Sequence, residues 1–155
     1  MVEISYRAAT LEDLETLAAL RWEMQIEGDS DLAEAAVRET YIATYCAEMR
    51  AEMQRGRLCA WIAEAESQPV ASVSLIWWVV PPTIQHPRRR RGQVSNVYTR
   101  PAYRRQGISR QLMLLLLEHA HAQGIQRLVL WASEMGAPLY ASLGFAPSGA
   151  MERNF

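Results

Sequence analysis

The chain reads Val97-Tyr98-Thr99-Arg100-Pro101-Ala102-Tyr103-Arg104-Arg105-Gln106-Gly107-Ile108-Ser109 where a strand pattern gives way to a long apolar helix. At the start of a helix, backbone N–H groups are unpaired, and the helix dipole adds a potential that favours anions. Gly107 allows a sharp turn, while Arg104 and Arg105 can donate charge-assisted hydrogen bonds to phosphate oxygens. The stretch therefore predicts a phosphate-binding loop, although an ordinary helix cap with solvated arginines would have a similar sequence.

The residues before this loop predict a strand, two helices and a hairpin. Residues 1–7 alternate polar and apolar side chains, as a strand does, and residues 10–13 resemble a capping box at the start of a helix. Residues 66–69 are typical of a turn between two antiparallel strands. The predicted bounds are 1–7 for the first strand, about 11–27 and 31–55 for the helices, and 58–64 and 70–80 for the hairpin strands.

The remaining elements complete a mixed α/β fold. Residues 81–92 contain three prolines and four consecutive arginines, which predicts a loop before a strand over residues 93–99. The helix that starts near Ile108 ends at Gly124, and a buried strand follows over residues 126–132. A short helix over residues 136–142 and a final strand close the chain. The predicted order is β-α-α-β-β-β-α-β-α-β.

The composition fits one soluble domain over residues 1–155. Half of the residues are hydrophobic, which is enough for one core in a chain too short for two ordinary domains. The apolar stretches are shorter than the roughly 18 residues that a membrane span needs, and the N-terminus lacks the pattern of a secretory signal. The two cysteines, Cys46 and Cys59, are too few for a disulfide framework or a zinc cluster. We expect a cytoplasmic protein that binds no membrane.

The charges of the chain are divided unevenly between its two ends. The net charge is −1, but residues 1–66 carry a balance of −8 and residues 67–155 a balance of +7. Such a division suits an enzyme whose C-terminal half binds an anionic cofactor and whose N-terminal half attracts a cationic substrate. An equally good explanation is that the acids solvate the two N-terminal helices.

Two motifs in the second half of the chain resemble those of the GNAT acetyltransferase superfamily. Arg104 to Ser109 is similar to the family's cofactor motif Arg/Gln-x-x-Gly-x-Gly/Ala, with Ser109 in place of glycine or alanine, and Thr99 precedes it where an aliphatic residue is commoner. Leu139-Tyr140-Ala141-Ser142-Leu143-Gly144-Phe145 is similar to the signature Leu-Tyr-x-x-x-Gly-Phe without departure. The resemblance is specific over residues 94–145. It implies a mostly antiparallel sheet with a splayed parallel strand pair and helices on both faces.

The resemblance also implies acetyl-CoA as a co-substrate, bound where strands 93–99 and 126–132 splay apart. The pantetheine arm would pair with the backbone of the first strand, and the pyrophosphate would accept hydrogen bonds from the loop. Ser133 stands where many relatives have an asparagine that helps to hold the cofactor. The residues that the resemblance assigns to the cofactor are Val97, Tyr98, Thr99, Arg104, Arg105, Gln106, Gly107, Ile108, Ser109, Arg110 and Ser133.

Acetyl transfer by direct attack of an amine needs an acid, an oxyanion stabiliser and a base. Tyr140 falls on the family's general-acid position, from which its hydroxyl would donate a proton to the departing thiolate, and the alternative is a tyrosine that only packs. A backbone N–H near Tyr98 or Thr99 would polarise the thioester carbonyl.

The base has no obvious candidate. Relatives often place a carboxylate on the strand before the loop, where this chain has Gln93, Ser95 and Asn96. The role is left to a carboxylate elsewhere, directly or through water, or to a water relay alone. The carboxylates considered are Glu23, Glu27 and Glu134.

Other residues that attract attention have simpler explanations beside the functional ones. Adjacent strand residues point to opposite faces, so one of Trp77 and Trp78 could wall an acceptor pocket, although core packing of both explains them as well. The run Arg88 to Arg91 could contact a 3′-phosphate or an acidic partner, or remain solvated. The three histidines form no metal-ligand pattern, so we expect no metal. The second helix carries a stripe that is more typical of core than of a ligand site: Tyr41, Tyr45, Met49 and Met53.

The sequence thus predicts an acyltransferase that moves an acetyl group from acetyl-CoA to a primary amine. The acceptor would be a small molecule, an amino-acid-like metabolite or a peptide. The alternative is a non-catalytic acyl-CoA-binding or regulatory domain of the same fold. A net charge near zero argues against a nucleic-acid partner, and the final strand could pair two copies into a homodimer.

Overall fold

The computed structural model describes residues 2–155, without the side chain of Leu32, so Met1 of the predicted first strand lies outside the described residues. Five strands form one sheet in the order β1-β2-β3-β4-β5. The strands are β1 (Ile4–Ala8), β2 (Leu58–Ala65), β3 (Gln68–Val79), β4 (Arg90–Thr99) and β5 (Arg127–Val129). The helices are α1 (Leu14–Gly28), α2 (Ala35–Gln54), α3 (Ile108–Ala122) and α4 (Ala137–Ser142), with three short 3-10 turns at Leu11–Asp13, Ser30–Leu32 and Pro101–Tyr103.

The sheet is antiparallel from β1 to β4, and β5 lies parallel to β4. Helices cover both faces of the sheet. Because alternate residues of a strand point to opposite faces, one strand contributes to the core on each side. Trp61 and Ala63 of β2 belong to the core that α3 closes, whereas Ile62 packs against Leu17 of α1. The predicted mixed fold, with its single parallel strand pair, is confirmed.

Helix α2 lies further from the core than its pattern predicts. None of its side chains that the structure describes is fully buried. Tyr45 and Met53 of the predicted stripe are half-buried and pack on the smaller cluster between α1 and the sheet. The Tyr41 and Trp22 rings lie tilted to each other with their centres 5.6 Å apart. The stripe therefore lies at the edge of the core, where α2 meets α1, the sheet and solvent.

Strand β4 begins three residues earlier than predicted, since Arg90 pairs with Val79 and extends the hairpin. The four consecutive arginines are typical of a loop, so the sequence did not indicate that the strand begins at Arg90. The guanidinium group of Arg90 lies 4.8 Å from the centre of the Trp77 ring, and it donates to the Gln123 carbonyl at 2.7 Å. Trp77 is half-buried and donates its indole N–H to the Gly56 carbonyl, whereas Trp78 is 38% exposed. Neither tryptophan is fully buried.

The end of the chain differs from the prediction. Among the described residues, no strand follows α4, so the predicted final strand is wrong. Pro147 lacks a backbone donor and Gly149 adds no side chain for packing, and both weaken a strand. Strand β5 is also shorter than predicted, because it separates from β4 beyond Val129.

Candidate active site

The separation of β4 and β5 opens a cleft. The two strands pair only from Arg91 to Gln93 on β4, so the following residues of β4 have no partner on that edge. The cleft has a volume of about 1080 Å³. Its walls come from α1, the second half of β4, the loop before α3, and the segment from Leu130 to Tyr140. A ligand in this cleft would meet strand backbone, a helix start and a buried tyrosine together.

A bulge in β4 bends the strand where the cleft begins. Ser72 pairs with Tyr98 and Ser74 with Ser95, so the single residue between the two serines lies opposite two residues of β4. Asn96 is one of these two, and its φ of 54° lies in the left-handed region. Asparagine adopts this region more readily than most residues do. The chain thus has a residue suited to the bulge at the position where the strands divide.

The loop before α3 has the geometry of an anion site. Arg105 and Gly107 have positive φ values of 64° and 78°, and turns of this kind are typical of backbone nests that bind anions. The first hydrogen bond into the helix runs from the Gln111 N–H to the Gly107 carbonyl. In residues 2–155, the N–H groups from Arg105 to Arg110 have no hydrogen-bond partner. They remain available to a phosphate at the positive end of the helix.

The structure brings the predicted cofactor residues together, with one exception. Gln106 is exposed and does not line the cleft. The residues that do are Val97, Tyr98, Thr99, Arg104, Arg105, Gly107, Ile108, Ser109, Arg110 and Ser133, together with Tyr140.

Thr99 and Ser109, the two residues that depart from the GNAT pattern, contact each other. The hydroxyl oxygens of Thr99 and Ser109 are 2.8 Å apart, which joins the end of β4 to the start of α3. Thr99 is 7% exposed, so its hydroxyl gains a partner that an aliphatic residue would not need. The serine in the glycine loop therefore compensates for the threonine in the strand.

Tyr140 lies on α4 at the cleft wall and is 9% exposed. Burial raises the pKa of its hydroxyl above the ordinary value, so the group is protonated at neutral pH. Among the described residues, the hydroxyl has no hydrogen-bond partner. Gly136 packs against the ring so closely that an added Cβ would lie 2.8 Å from Tyr140 Cε2. Ser133 accepts from the Gly136 N–H through Oγ at 3.2 Å, which holds the turn before the helix.

The geometry agrees with what is known of similar proteins. A family described as "Acetyltransferase (GNAT) family" matches residues 14–145. The chain belongs to the GNAT acetyltransferase family. The matched range includes the residues of the cleft and the two helices that precede it.

Solved GNAT structures share the whole fold. The chain is 28% identical to a GCN5-related N-acetyltransferase from Ralstonia eutropha JMP134, with 99% of each chain covered and a TM-score of 0.81. A predicted acetyltransferase from Clostridium acetobutylicum, solved with acetyl-CoA, is 26% identical, with 98% of this chain and 96% of that chain covered and a TM-score of 0.84.

A curated relative is human N-acetyltransferase 8, which is 32% identical over 94 residues. These residues are 59% of this chain and only 40% of the human protein. The similarity therefore supports an acetyltransferase fold for this chain, which spans less than half the length of the human protein.

Arg104, which the GNAT motif assigns to the cofactor, is already paired in this structure. Its Nη2 donates to the Glu27 carboxylate at 2.6 Å, and its Nε donates to the Thr99 carbonyl at 2.8 Å. Glu27 also accepts from the Tyr98 hydroxyl at 3.3 Å, and burial together with Glu27 raises the pKa of Tyr98 to about 12. The positive charge of Arg104, which was expected to bind a phosphate, is thus balanced by Glu27 of α1.

Two acids of α1, Glu23 and Glu27, pair with arginines from the second half of the chain. Arg100 donates through Nε and Nη2 to both oxygens of Glu23, at 2.9 and 2.7 Å. With the Glu27–Arg104 pair, this explains part of the charge division in the sequence as contacts across the fold. It also leaves neither acid free as the GNAT base. Glu134 is exposed and does not line the cleft, and Glu27 is the single carboxylate that does in the described part of the chain.

Two residues of the site had no assigned role in the sequence. Asn96 forms the bulge and bonds with Arg21, Ser74 and Tyr45. An asparagine inside a strand was the available signal, because of its tolerance for the left-handed region. For Arg21, the signal was a single basic residue on an otherwise acidic helix.

Other features lie apart from this cleft. None of the four arginines from Arg88 to Arg91 lines it. In residues 2–155, no cluster of three or more His, Cys, Asp or Glu side chains has the arrangement of a metal site. The described helices include none with the length and apolar character that crossing a membrane requires.

Proposed function

We propose that this GNAT chain is an N-acetyltransferase that uses acetyl-CoA and acetylates the primary amine of a small molecule, an amino-acid-like metabolite or a peptide. One observation carries the proposal. Tyr140 lines the same cleft as five residues whose N–H groups are unpaired in the described chain: Arg105, Gly107, Ile108, Ser109 and Arg110. Such a cleft suits a substrate with an anionic end and a reactive end.

The donor would lie along the free edge of β4. Its pyrophosphate would accept from the N–H groups before α3, where the helix dipole and Arg110 add positive potential. Its pantetheine arm would pair with the exposed backbone around Val97 to Thr99, as a peptide strand pairs with a sheet edge. The thioester would then reach the bulge region, close to the β4 amides that can polarise its carbonyl.

In the proposed reaction, the neutral amine attacks the thioester carbonyl, and the C–S bond breaks as the new C–N bond forms. Tyr140 supplies a proton to the departing thiolate, since its raised pKa keeps the hydroxyl protonated, and the tyrosinate then takes up a proton from water. The ammonium proton leaves through water, because the single carboxylate lining the described cleft, Glu27, is held by Arg104. The rate should therefore rise with pH toward the pKa of the acceptor amine.

Turnover with a panel of primary amines tests the proposal. Thiol release from acetyl-CoA and the mass of the product are followed together. We expect equal amounts of free CoA and acetylated amine. Tyr140→Phe should lower kcat by about 10²- to 10⁴-fold, the usual contribution of a positioned acid, with little change in acetyl-CoA affinity.

Tyr6→Phe is the matched control, because Tyr6 is a half-buried tyrosine on β1 outside the cleft. It should retain full activity. Tight acetyl-CoA binding without acetylation of any amine would instead support a non-catalytic acyl-CoA-binding domain. Full activity of Tyr140→Phe would remove the acid role.

A further inference from the structure

Arg21 is the single basic residue on α1, and it lines the cleft beside Met24 and Glu27. Its side chain is half-buried. Its Nη1 donates to Asn96 Oδ1 at 2.6 Å, which places the guanidinium group at the bulge of β4. This position lies just before the strand segment from Val97 to Thr99, on the side of the cleft that the N-terminal helices close.

The Asn96 side chain is held by neighbours that fix Arg21 in turn. It is 3% exposed, and its Nδ2 lies 3.4 Å from both the Tyr45 hydroxyl and the Ser74 hydroxyl. Arg21 is also close enough to Tyr41 and Tyr45 to oppose the rise that burial causes in the pKa of both hydroxyls. A side chain held in this way loses little freedom when it binds a ligand.

The positive charge of Arg21 has no carboxylate partner among residues 2–155. Glu23 and Glu27 of the same helix pair instead with Arg100 and Arg104. The groups that interact with Arg21 are neutral: the Asn96 carboxamide and the phenols of Tyr41 and Tyr45. A half-buried guanidinium group with neutral neighbours is an incomplete site, because arginine binds carboxylates through two parallel hydrogen bonds.

We propose that Arg21 binds a carboxylate of the acceptor, so that the substrates are amino carboxylates, with amine and carboxylate on one small molecule. This inference rests on the proposed acetyltransferase function and narrows its acceptor. Held by Arg21 at the bulge, such a molecule directs its amine along β4 toward the thioester. The charge of this wall favours an anionic group, in contrast to the cationic substrate that the acidic N-terminal half alone suggests.

The test compares each L-α-amino acid, and β-alanine, with its own carboxamide as acceptor. The wild-type protein should prefer the carboxylate. Arg21→Gln should lower kcat/KM for carboxylates by about 10- to 100-fold, mainly through KM, as expected for loss of a charged hydrogen-bonded contact. The same variant should change kcat/KM for carboxamides by less than about threefold. Arg21→Lys should restore part of the preference, since it keeps the charge without the planar pair of donors.

Arg38→Gln is the matched control, because Arg38 is exposed on α2 and does not line the cleft. It should behave as the wild type with both acceptor sets. Equal rates with carboxylates and carboxamides would overturn the proposal. So would an equal loss on both sets in Arg21→Gln, since that result would mean that Arg21 only supports Asn96.

A binding measurement separates this proposal from the proposed function. If no amine is acetylated, the proposed function fails. Thermal unfolding of the CoA-saturated protein then still measures whether a ligand binds at Arg21. Stabilisation by amino acids but not by their carboxamides, lost in Arg21→Gln, would support the carboxylate site. No stabilisation by any of them would overturn it.

Discussion

The hydroxyl pair of Thr99 and Ser109 offers a direct measure of how the strand end is tied to the cofactor loop. Thr99→Val and Ser109→Ala each remove one partner of the 2.8 Å contact, and the double variant removes both. Because Thr99 is 7% exposed, Ser109→Ala leaves a buried hydroxyl without a partner. Such a loss costs about 1–3 kcal/mol in the free energy of unfolding.

The other two variants should cost less. Ser109 is half-buried, so water can replace its partner in Thr99→Val, and we expect about 1 kcal/mol or less. The double variant loses one hydrogen bond but leaves no unpaired group, so its cost should fall below the sum of the single costs. The expected coupling is about 1 kcal/mol, within the usual range for residues in contact.

Urea unfolding of the four proteins measures this coupling, with the free energy extrapolated linearly to water. Ser148→Ala combined with Thr99→Val is the control cycle. Ser148 is exposed near the C-terminus, so the free-energy costs of these two substitutions should add. Strict additivity of Thr99→Val and Ser109→Ala would show that the two hydroxyls contribute nothing to each other.

Two further predictions concern the cleft. Gly136→Ala should lower kcat and cost about 1–3 kcal/mol in the free energy of unfolding, because the new Cβ would lie 2.8 Å from Tyr140 Cε2 and move the buried ring. Steady-state kinetics beside calorimetry checks this, and unchanged kcat would show that the tyrosine position is not critical. Glu27→Gln should tighten CoA binding by about two- to fivefold at low salt, because it frees Arg104 from a partly exposed ion pair. Weaker binding in a titration would mean that Glu27 instead orients Arg104 for the cofactor.

The order of the elements before the chain end was predictable from local patterns. The helix Ile108–Ala122 was indicated by its apolar residues after the glycine loop, and the hairpin strands by β-forming residues on both sides of a turn. The start of β4 at Arg90 was missed, since arginine stems that pack on Trp77 have the same sequence as a solvated loop. The final strand was predicted wrongly, because Pro147 and Gly149 disfavour a strand near the end of the chain.

The loop of the proposed cofactor site was easier to predict than the proposed acceptor wall. A glycine loop at a helix start presents backbone N–H groups, which local sequence indicates, whereas the pair of Arg104 with Glu27 left no local signal. The acceptor wall depends on pairs far apart in the chain, such as Arg21 with Asn96. No local pattern shows that Glu23 and Glu27 are paired while Arg21 is not.

Backbone amide exchange with and without CoA tests most directly whether this cleft is the cofactor site. The N–H groups of residues 105–107 lie before α3 and have no partner in residues 2–155, so they should exchange fast in the free protein. Saturating CoA should slow exchange at these groups, at the first residues of α3 and along the free edge of β4, and nowhere comparably outside the cleft. Saturation by CoA without added protection at residues 105–110 would contradict the account.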